Sequence, residues 1–318
     1  MSVSRLGIGL AAVARPAYIT AGRGRDLGSR RSIADLEART AELLDAAYAE
    51  GVRYVDAARS YGRAEEFLAS WLAAHPEARD VVIGSKWGYR YVGGWRMDAE
   101  VHEVKDHSLQ AFTTQYAQTT ALLGERLGVY HVHSATPESS ALRDVTLHRA
   151  LAAVRNGGLR IGVSTSGTRQ ADAVRRALEV LVDGEPLFTS IQSTWNILET
   201  SVGPALAEAA AAGARVIVKE VVANGRLAPG GTNKTPGALA ATRLAEQLHV
   251  GVDQLAIAAA LAQPWASRVL SGAVTTDQLH SNVGAASVHL PLAVLDELAT
   301  LAEPAGAYWE ARSRRSWS

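Results

Sequence analysis

Short apolar runs rich in β-branched residues alternate along the chain with longer stretches of helical period. The runs have the length of buried strands, and the stretches between them repeat their apolar residues every three to four positions. The pattern predicts eight strands, at Leu6–Ala11, Arg53–Ala57, Val81–Ser85, Val129–His133, Arg160–Ser164, Thr189–Ser193, Arg215–Lys219 and Arg268–Ser271. It predicts helices at Ile33–Glu50, Arg63–Ala74, Leu109–Arg126, Arg143–Arg155, Arg169–Val182, Val202–Ala212, Pro236–His249, Val252–Ala262 and Thr276–Ala285.

This eightfold alternation favours a parallel sheet that closes on itself. We therefore expect a single α/β domain over residues 1–318, a (β/α)8 TIM barrel whose pocket lies at the carboxyl ends of the strands. The alternative is an open doubly wound sheet, but no strand is followed by the Gly-x-Gly-x-x-Gly of a dinucleotide-binding turn. Three segments fall outside the repeat and are expected to be loops over the pocket mouth: Tyr18–Arg31, Trp87–His107 and the residues after Glu303.

Composition indicates a globular protein with a small-molecule partner. Of the 318 residues, 47% are hydrophobic and 20% are charged, which is enough apolar material for a large core. The 32 basic and 32 acidic residues cancel, so no net field would attract nucleic acid or an anionic membrane. The absence of cysteine excludes a disulfide framework and a thiolate metal site. We expect a cytoplasmic protein, since the apolar run Arg5–Ala14, although it ends like a signal peptide, also fits a first buried strand.

Four residues capable of acid–base chemistry lie at the ends of three consecutive predicted strands. Asp56 is at the end of the second strand with Tyr61 in the loop after it, Lys86 follows the third strand and His133 ends the fourth. A free phenol has a pKa near ~10, so a proton-donating tyrosine needs a neighbouring cation, which a carboxylate in turn keeps charged. The histidine would hold a carbonyl oxygen in line with the phenol. No side chain can donate a hydride, so this chemistry implies a nicotinamide cofactor.

Other interpretations fit parts of this set. Each of the four residues can have a purely structural role, such as bracing a turn or packing in the barrel. His131 and His133 have metal-ligand spacing, but the later strand ends offer hydroxyl and amide groups, which bind divalent ions poorly. We therefore expect no metal site, with His131 deeper in the barrel. Lys86 can alternatively form a Schiff base with a substrate, as in a barrel aldolase.

At these residues the sequence resembles the aldo-keto reductase family, and the likeness extends over nearly the whole chain. The spaced Asp, Tyr, Lys and His set is its most specific part. Further matching segments are Leu6–Gly9, Tyr61–Glu65, Gly162–Ser164, Gln192 with Trp195 and Asn196, Asn224–Leu227, and Gly272 to Asn282. The resemblance implies an NADP(H)- or NAD(H)-dependent oxidoreductase that acts on a small-molecule carbonyl or alcohol, closest to the aldose- and galactose-dehydrogenase-like branch.

The resemblance also implies a role for each matching position. Tyr61 would be the general acid–base, tuned by Lys86 and Asp56, and His133 would orient the substrate. The implied cofactor contacts are Asp56, Ser164, Thr165, Gln192, Lys219, Gly225, Ser271, Gly272, Thr275, Gln278 and Asn282. Thr165 stands where the family usually has asparagine, and the run that begins at Lys219 differs from the family's usual Tyr-Ser-Pro-Leu.

Cofactor preference and substrate stay open at this point. The adenosine segment lacks the Lys or Arg that NADP-preferring members often carry, so either Arg226 or Arg243 supplies a cation for a 2′-phosphate or NAD(H) is accepted. The aromatic loop Trp87–Trp95 suits an aromatic, heterocyclic or sugar ring, with Trp87 and His133 as expected substrate contacts. The alternative to an enzyme is a cofactor-binding regulatory subunit, as the potassium-channel β subunits of this family are thought to be.

Overall fold

Eight parallel strands close into a barrel in the computed structural model, which describes residues 2–20, 22–231 and 235–317, apart from the side chain of Arg23. The strands are β1 (Leu6–Gly9), β2 (Tyr54–Asp56), β3 (Val82–Trp87), β4 (Leu127–Ala135), β5 (Arg160–Thr165), β6 (Ser190–Thr194), β7 (Arg215–Lys219) and β8 (Arg268–Ser271). Neighbours in sequence pair with each other, and β8 closes the ring by pairing with β1, where Ser271 lies opposite Ile8. The predicted (β/α)8 barrel is confirmed.

Helices surround this barrel and connect its strands. They are α1 (Arg23–Leu27), α2 (Ile33–Ala49), α3 (Ala64–Ala74), α4 (Leu109–Leu123), α5 (Val145–Asn156), α6 (Gln170–Leu178), α7 (Gly203–Ala211), α8 (Pro236–Gln247), α9 (Val252–Leu261), α10 (Thr276–Gly284), α11 (Leu292–Ala299) and α12 (Ala305–Ser313). Single 3-10 turns occur at Val3–Arg5, Leu10–Ala12, Gly124–Arg126, Ser140–Leu142, Ala223–Gly225 and Ala285–Ser287. No helix in the described part of the chain is long and apolar enough to cross a bilayer.

The strands are buried on both faces, inside the barrel and beneath the helices. Ile8, Ile83 and Ile191, for example, are inaccessible to solvent. A parallel sheet covered by helices in this way explains why its strands are nearly continuous apolar runs. The helices start where polar side chains satisfy their free N–H groups: Ser32 caps α2 and Ser108 caps α4.

The three segments outside the repeat contain regular structure that the sequence pattern did not predict. Tyr18–Arg31 holds the short α1, and Trp87–His107 holds an antiparallel hairpin, in which Tyr89–Tyr91 pairs with Glu103–Lys105. The residues after Glu303 form α12. Helix α11 was also missed, as was a second hairpin of Leu181–Val182 with Glu185–Pro186. Ala21 and Ser318, which belong to two of the predicted mouth loops, lie outside the described residues.

Candidate active site

Asp56, Tyr61, Lys86 and His133 form one cluster at the carboxyl end of the barrel. Lys86 donates through Nζ to Asp56 Oδ2 and, at 3.0 Å, to the carbonyl oxygen of Ala57. The same Nζ lies 4.7 Å from the centroid of the Tyr61 ring. The rings of Tyr61 and His133 meet edge to face, with their centroids 5.4 Å apart. The folded chain thus brings together all four residues singled out by the sequence.

Burial sets the protonation states of this cluster. It lowers the pKa of Lys86, against which the ion pair with Asp56 acts to keep the ammonium charged. Burial, reinforced by Asp56, raises the pKa of Tyr61 well above its ordinary value. Burial and then the charge of Lys86 lower the pKa of His133 well below its ordinary value. At neutral pH the site therefore holds a protonated phenol beside a neutral imidazole.

The contact between Asp56 and Lys86 differs in kind from the contact between Lys86 and Tyr61. The contact from Asp56 to Lys86 is a direct charge-assisted hydrogen bond. The contact from Lys86 to Tyr61 runs over the face of the ring, and among the described residues no hydrogen bond joins the ammonium to the phenol oxygen. Burial and Asp56 raise the pKa of Tyr61, and the charge of Arg15 opposes that rise.

Ser60 is a site residue that the sequence analysis missed. Its Oγ is fully buried and lies 3.3 Å from Nδ1 of His133. Nε2 of His107 lies 2.8 Å from the backbone carbonyl oxygen of His133. The ring of His133 packs against that of Tyr89, with the two centroids 5.0 Å apart. If the Ser60 hydroxyl donates to Nδ1, the neutral imidazole carries its proton on Nε2. The available signal was the position of Ser60 directly before Tyr61.

His131 lies deeper in the barrel than His133. It is inaccessible to solvent, and its Nε2 is 2.9 Å from the hydroxyl of Ser190. Burial and then Lys86 lower the pKa of His131 to about 3, so its ring is neutral. Within the described ranges, no three His, Asp or Glu residues are grouped as a metal site requires.

A cavity of about 350 Å³ opens beside the cluster. Asp56, Tyr61 and His133 are on its wall. All three segments that interrupt the barrel repeat also contribute, with side chains that include Tyr18, Tyr89, Glu103, Arg312 and Trp317. The expectation that these segments lie over the pocket mouth agrees with this placement.

Arg15 is a buried cation in the wall of this cavity that the sequence analysis also missed. Its guanidinium lies 4.4 Å from the ring centroid of Tyr18, 5.0 Å from that of Tyr61 and 4.8 Å from that of Trp317. It donates at 2.7 Å to Glu103 in the hairpin. Arg15 therefore connects the first loop, the hairpin and the C-terminal tail around the catalytic cluster.

A second buried ion pair fixes the loop after β7. Arg312 of α12 donates two hydrogen bonds to the carboxylate of Glu220, and Nζ of Lys219 lies 3.7 Å from the same group. Burial lowers the pKa of Lys219 to about 8. Burial also opposes ionisation of Glu220, but Arg312 and Lys219 outweigh it and lower its pKa to about 2. Three non-glycine residues of this loop have left-handed backbones: Glu220, Ala223 and Asn224.

Seven of the eleven expected cofactor contacts lie on the walls of two cavities. Those on the wall of the first cavity are Asp56, Lys219, Ser271 and Gly272. Those on the wall of a second cavity, also of about 350 Å³, are Gly225, Gly272, Gln278 and Asn282. Three residues line both cavities: Thr20, Val222 and Gly272. Because these residues are shared, the two cavities adjoin and together form one cleft.

Four other expected contacts are engaged within the protein and line neither cavity: Ser164, Thr165, Gln192 and Thr275. The hydroxyl of Ser164 accepts the backbone N–H of Ser134 at 2.8 Å, and the hydroxyl of Thr165 lies 2.7 Å from that of Ser193. Thr275 caps the N-terminus of α10. Ser134 itself does line the first cavity, so the wall at this point is formed by a residue the sequence did not indicate.

Two buried acceptors without partners test whether a nicotinamide dinucleotide fits. Gln192 donates to Asp56 at 2.7 Å, while its Oε1 has no partner among the described residues. At the other end of the cleft, Oδ1 of Asp253 is likewise buried and unpartnered there, and Asp253 lines the second cavity. Buried acceptors need donors, and a carboxamide N–H and the amino group of a base are donors of the right kind. The acceptor of Asp253 is on a cavity wall and therefore fits a donor of the cofactor's base, whereas Gln192 lines neither cavity.

Trp87 does not reach the cleft. It is inaccessible to solvent and packs against Phe112 and His107, with ring centroids 5.1 and 5.9 Å away. Successive side chains of a strand point to opposite faces, so the inward direction of Lys86 forces Trp87 outward beneath α4. The expected contact at Trp87 is therefore not on the cavity wall, whereas Tyr89, two residues further on, is.

The two cations considered for a 2′-phosphate also lie elsewhere. Arg226 forms an ion pair with Glu303, and Arg243 is exposed on α8. Neither lines the second cavity. The charged residues on its wall are Arg25, Asp26, Asp253 and Asp277.

Comparisons with known proteins give the family of this chain and its fold. The model of the aldo/keto reductase family matches residues 27–303. The structure of the aldo-keto reductase AKR11C1 from Bacillus halodurans, in its holo form, aligns with a TM-score of 0.71 and 18% identity over 95% of this chain and 93% of that one. Two structures from Pseudomonas aeruginosa assigned to aldo-keto reductases have TM-scores of 0.62 and 0.63, with 22% and 23% identity, over 90% of this chain and 91% and 90% of theirs. These structures share the barrel fold. The comparison with curated proteins found no match.

Proposed function

Because this chain belongs to the aldo/keto reductase family, we propose that it is a nicotinamide-dependent carbonyl reductase or alcohol dehydrogenase with Tyr61 as its general acid–base. The observation that carries the proposal is the clustering of Asp56, Tyr61, Lys86 and His133 beside the cleft formed by the two adjoining cavities. A purely structural set of residues would not need to converge on one cavity.

The proposed proton transfer follows from the protonation states. With NADP(H) or NAD(H) bound, the nicotinamide supplies or receives the hydride. Tyr61 gives its proton to the carbonyl oxygen, since its raised pKa keeps the phenol protonated at neutral pH. Lys86, beside the ring, stabilises the phenolate that remains. His133 donates from Nε2 to the same oxygen, with Ser60 fixing that tautomer.

A carbonyl substrate with a ring or sugar-like body fits the wall of the first cavity. Tyr18, Tyr89 and Trp317 offer aromatic faces there. Three guanidinium groups line the same wall: Arg15 pairs with Glu103 and Arg312 with Glu220, whereas Arg315 donates to the carbonyl of Asn224.

The Schiff-base alternative is less well supported. A lysine that attacks a carbonyl must be a free amine that reaches the cavity. Lys86 is fully buried, and its Nζ is already bound to Asp56 and Ala57. This ammonium is therefore placed to act on Tyr61.

Fluorescence titration with NADPH and NADH, followed by initial rates with aldehydes, ketones and sugars, tests the proposal. We expect saturable binding and consumption of reduced nucleotide with at least one carbonyl class. Binding without turnover would favour a regulatory subunit, and the absence of any nucleotide binding would overturn the proposal. Trapping of the protein by borohydride and substrate without nucleotide would favour the aldolase.

The same titration separates the two cofactors. Arg25 is the cation on the wall of the second cavity, where three carboxylates also lie. If NADPH binds more tightly than NADH, Arg25→Gln should remove most of that preference, because a 2′-phosphate needs a cationic partner. Arg243→Gln is the matched control, since Arg243 does not line the cavity.

A further inference from the structure

The amino-terminal mouth of the barrel contains a cavity of its own. Its volume is about 230 Å³, and its wall includes Arg215, Arg268, Ser190 and Ser267. Arg215 begins β7 and Arg268 begins β8, so both guanidinium groups come from neighbouring strands at the same end. None of the described residues that line this cavity is acidic.

Arg160, the first residue of β5, does not line this cavity, but it is near enough for the charge of Arg215 to act on it. Burial and then the charge of Arg215 lower the pKa of Arg160, and the same two causes lower that of Arg268. None of the three forms an ion pair within the described ranges, although Arg268 donates at 3.0 Å to the carbonyl of Ser267. A guanidinium stays protonated at any physiological pH. Their mutual repulsion is therefore relieved only by an anion or by water.

The fully or nearly buried arginines of the molecule have carboxylate partners: Arg15 with Glu103, Arg226 with Glu303, and Arg312 with Glu220. At the amino-terminal mouth Arg215 is exposed, and Arg160 and Arg268 are half-buried. These three guanidinium groups are therefore accessible from solution and have no carboxylate partner among the described residues.

Tyr54 separates this cavity from the catalytic cleft. Its ring lines the cavity, and its hydroxyl extends up the barrel towards Gly84, where any side chain would collide with it. None of the residues that line the amino-terminal cavity lines either part of the catalytic cleft. A ligand here would occupy a site of its own.

We propose that the amino-terminal cavity binds a phosphate group between Arg215 and Arg268. The planar fork of an arginine matches two oxygens of a phosphate, and two such forks match its charge. Ser267 accepts the backbone N–H of Val216 at 3.2 Å, so its own hydroxyl proton is available to a further phosphate oxygen. The phosphate is either the free ion or part of a small phosphate ester.

Isothermal titration of the full chain with inorganic phosphate, at an ionic strength held constant with chloride, tests this site. We expect saturable binding to wild type, at least tenfold weaker binding to Arg215→Gln, and unchanged binding to Arg175→Gln. Arg175 is a matched control, because it is an exposed arginine of α6 paired with Glu208. Absence of saturable binding, or equal binding by both variants, would overturn the proposal. Repeating the titration with glycerol 3-phosphate identifies the source: tighter binding of the ester indicates an esterified ligand, and weaker binding indicates the free ion.

Thermal unfolding provides a readout that a merely structural arginine would not produce. Without phosphate, Arg215→Gln should melt at the same temperature as wild type or higher, because a like-charge contact has been removed. With phosphate, wild type should gain more in Tm than the variant, since only a ligand that binds the native state stabilises it. A variant that melts lower in both buffers and gains as much from phosphate would contradict the assignment.

Discussion

The two ends of the barrel treat charge in opposite ways. At the carboxyl end, the buried ammonium of Lys86 meets Asp56, and the buried carboxylate of Glu220 meets Arg312. At the amino end, Arg215 and Arg268 share a cavity without a carboxylate on its described wall. A buried charge without a partner costs several kcal/mol, whereas a partly exposed one keeps part of its hydration. The charges at the carboxyl end are therefore balanced within the protein, whereas those at the amino end require an anion or water from solution.

Removal of Lys86 should have the largest effect, because it breaks the most deeply buried pair. In Lys86→Met the carboxylate of Asp56 would lose its cation and keep the amide of Gln192 as a donor. We expect a loss of about 3–5 kcal/mol in the free energy of unfolding, together with loss of measurable carbonyl reduction. Urea unfolding and initial rates measure the two effects.

A second substitution distinguishes charge from packing in that result. Asp56→Asn in the Lys86→Met background removes the stranded carboxylate, so it should restore part of the stability and none of the activity. If Lys86→Met is as stable as wild type, the paired charges do not organise this end of the barrel and the contrast between the two ends fails.

Tyr61→Phe should separate catalysis from stability at the same end. The variant removes only the proton donor, so we expect kcat to fall by about 10²–10⁴-fold, the usual contribution of general acid catalysis. Nucleotide affinity and Tm should change little, because no described residue is hydrogen-bonded to the Tyr61 hydroxyl. Near-normal reduction by Tyr61→Phe would show that another group delivers the proton.

What the sequence could predict at this end depends on how local the signal is. Lys86 and His133 were identified because strand periodicity indicates where β3 and β4 reach the pocket. Trp87 was assigned to the pocket although alternation along the same strand directs it outward. The pair of Glu220 and Arg312 joins residues far apart in the sequence, and no pattern within either segment encodes that contact.

The barrel itself was predictable for the same reason. Its eight strands and most of its helices follow from hydrophobic periods within single segments, and their observed ends lie close to the predicted ones. The sequence pattern did not predict helix α12, because its buried residues, Tyr308 and Trp309, belong to a separate core cluster together with residues of α8 and α9. The sequence around them is otherwise polar and has no apolar stripe of helical period. The arginines of the amino-terminal mouth were visible as strand-initial residues, but their convergence required the closed ring.

Arg312→Gln should have an intermediate effect, and one that depends on pH. The pKa of Glu220 in the folded protein, about 2, lies below its ordinary unfolded value. The ion pair therefore contributes fully above the unfolded pKa of ~4.3 and is lost as the pH falls towards the folded value. We expect the variant to be about 1–3 kcal/mol less stable at neutral pH and the two proteins to converge in acid.

Thermal or urea unfolding from neutral to acid pH checks this expectation. Arg314→Gln is the matched control, because Arg314 is an exposed neighbour on the same side of the molecule that pairs with Glu310. Its stability should follow wild type throughout. A constant gap between Arg312→Gln and wild type down to acid pH would mean that Arg312 stabilises the tail by packing and not by charge.

Ser60→Ala should have the smallest effect, because Ser60 is a positioning residue that acts through His133. Without the hydroxyl at Nδ1, the neutral imidazole is free to carry its proton on either nitrogen, and the donor at Nε2 is present only part of the time. We expect kcat to fall roughly tenfold, equivalent to ~1.4 kcal/mol or one hydrogen bond, with Tm and nucleotide affinity nearly unchanged. A double-mutant cycle with His133→Gln tests the route of action: in that background Ser60→Ala should cost nothing further. An equal loss of kcat in both backgrounds would show that Ser60 acts independently of His133. Buried polar contacts would then position fewer of the residues at the carboxyl end than the ion pairs suggest.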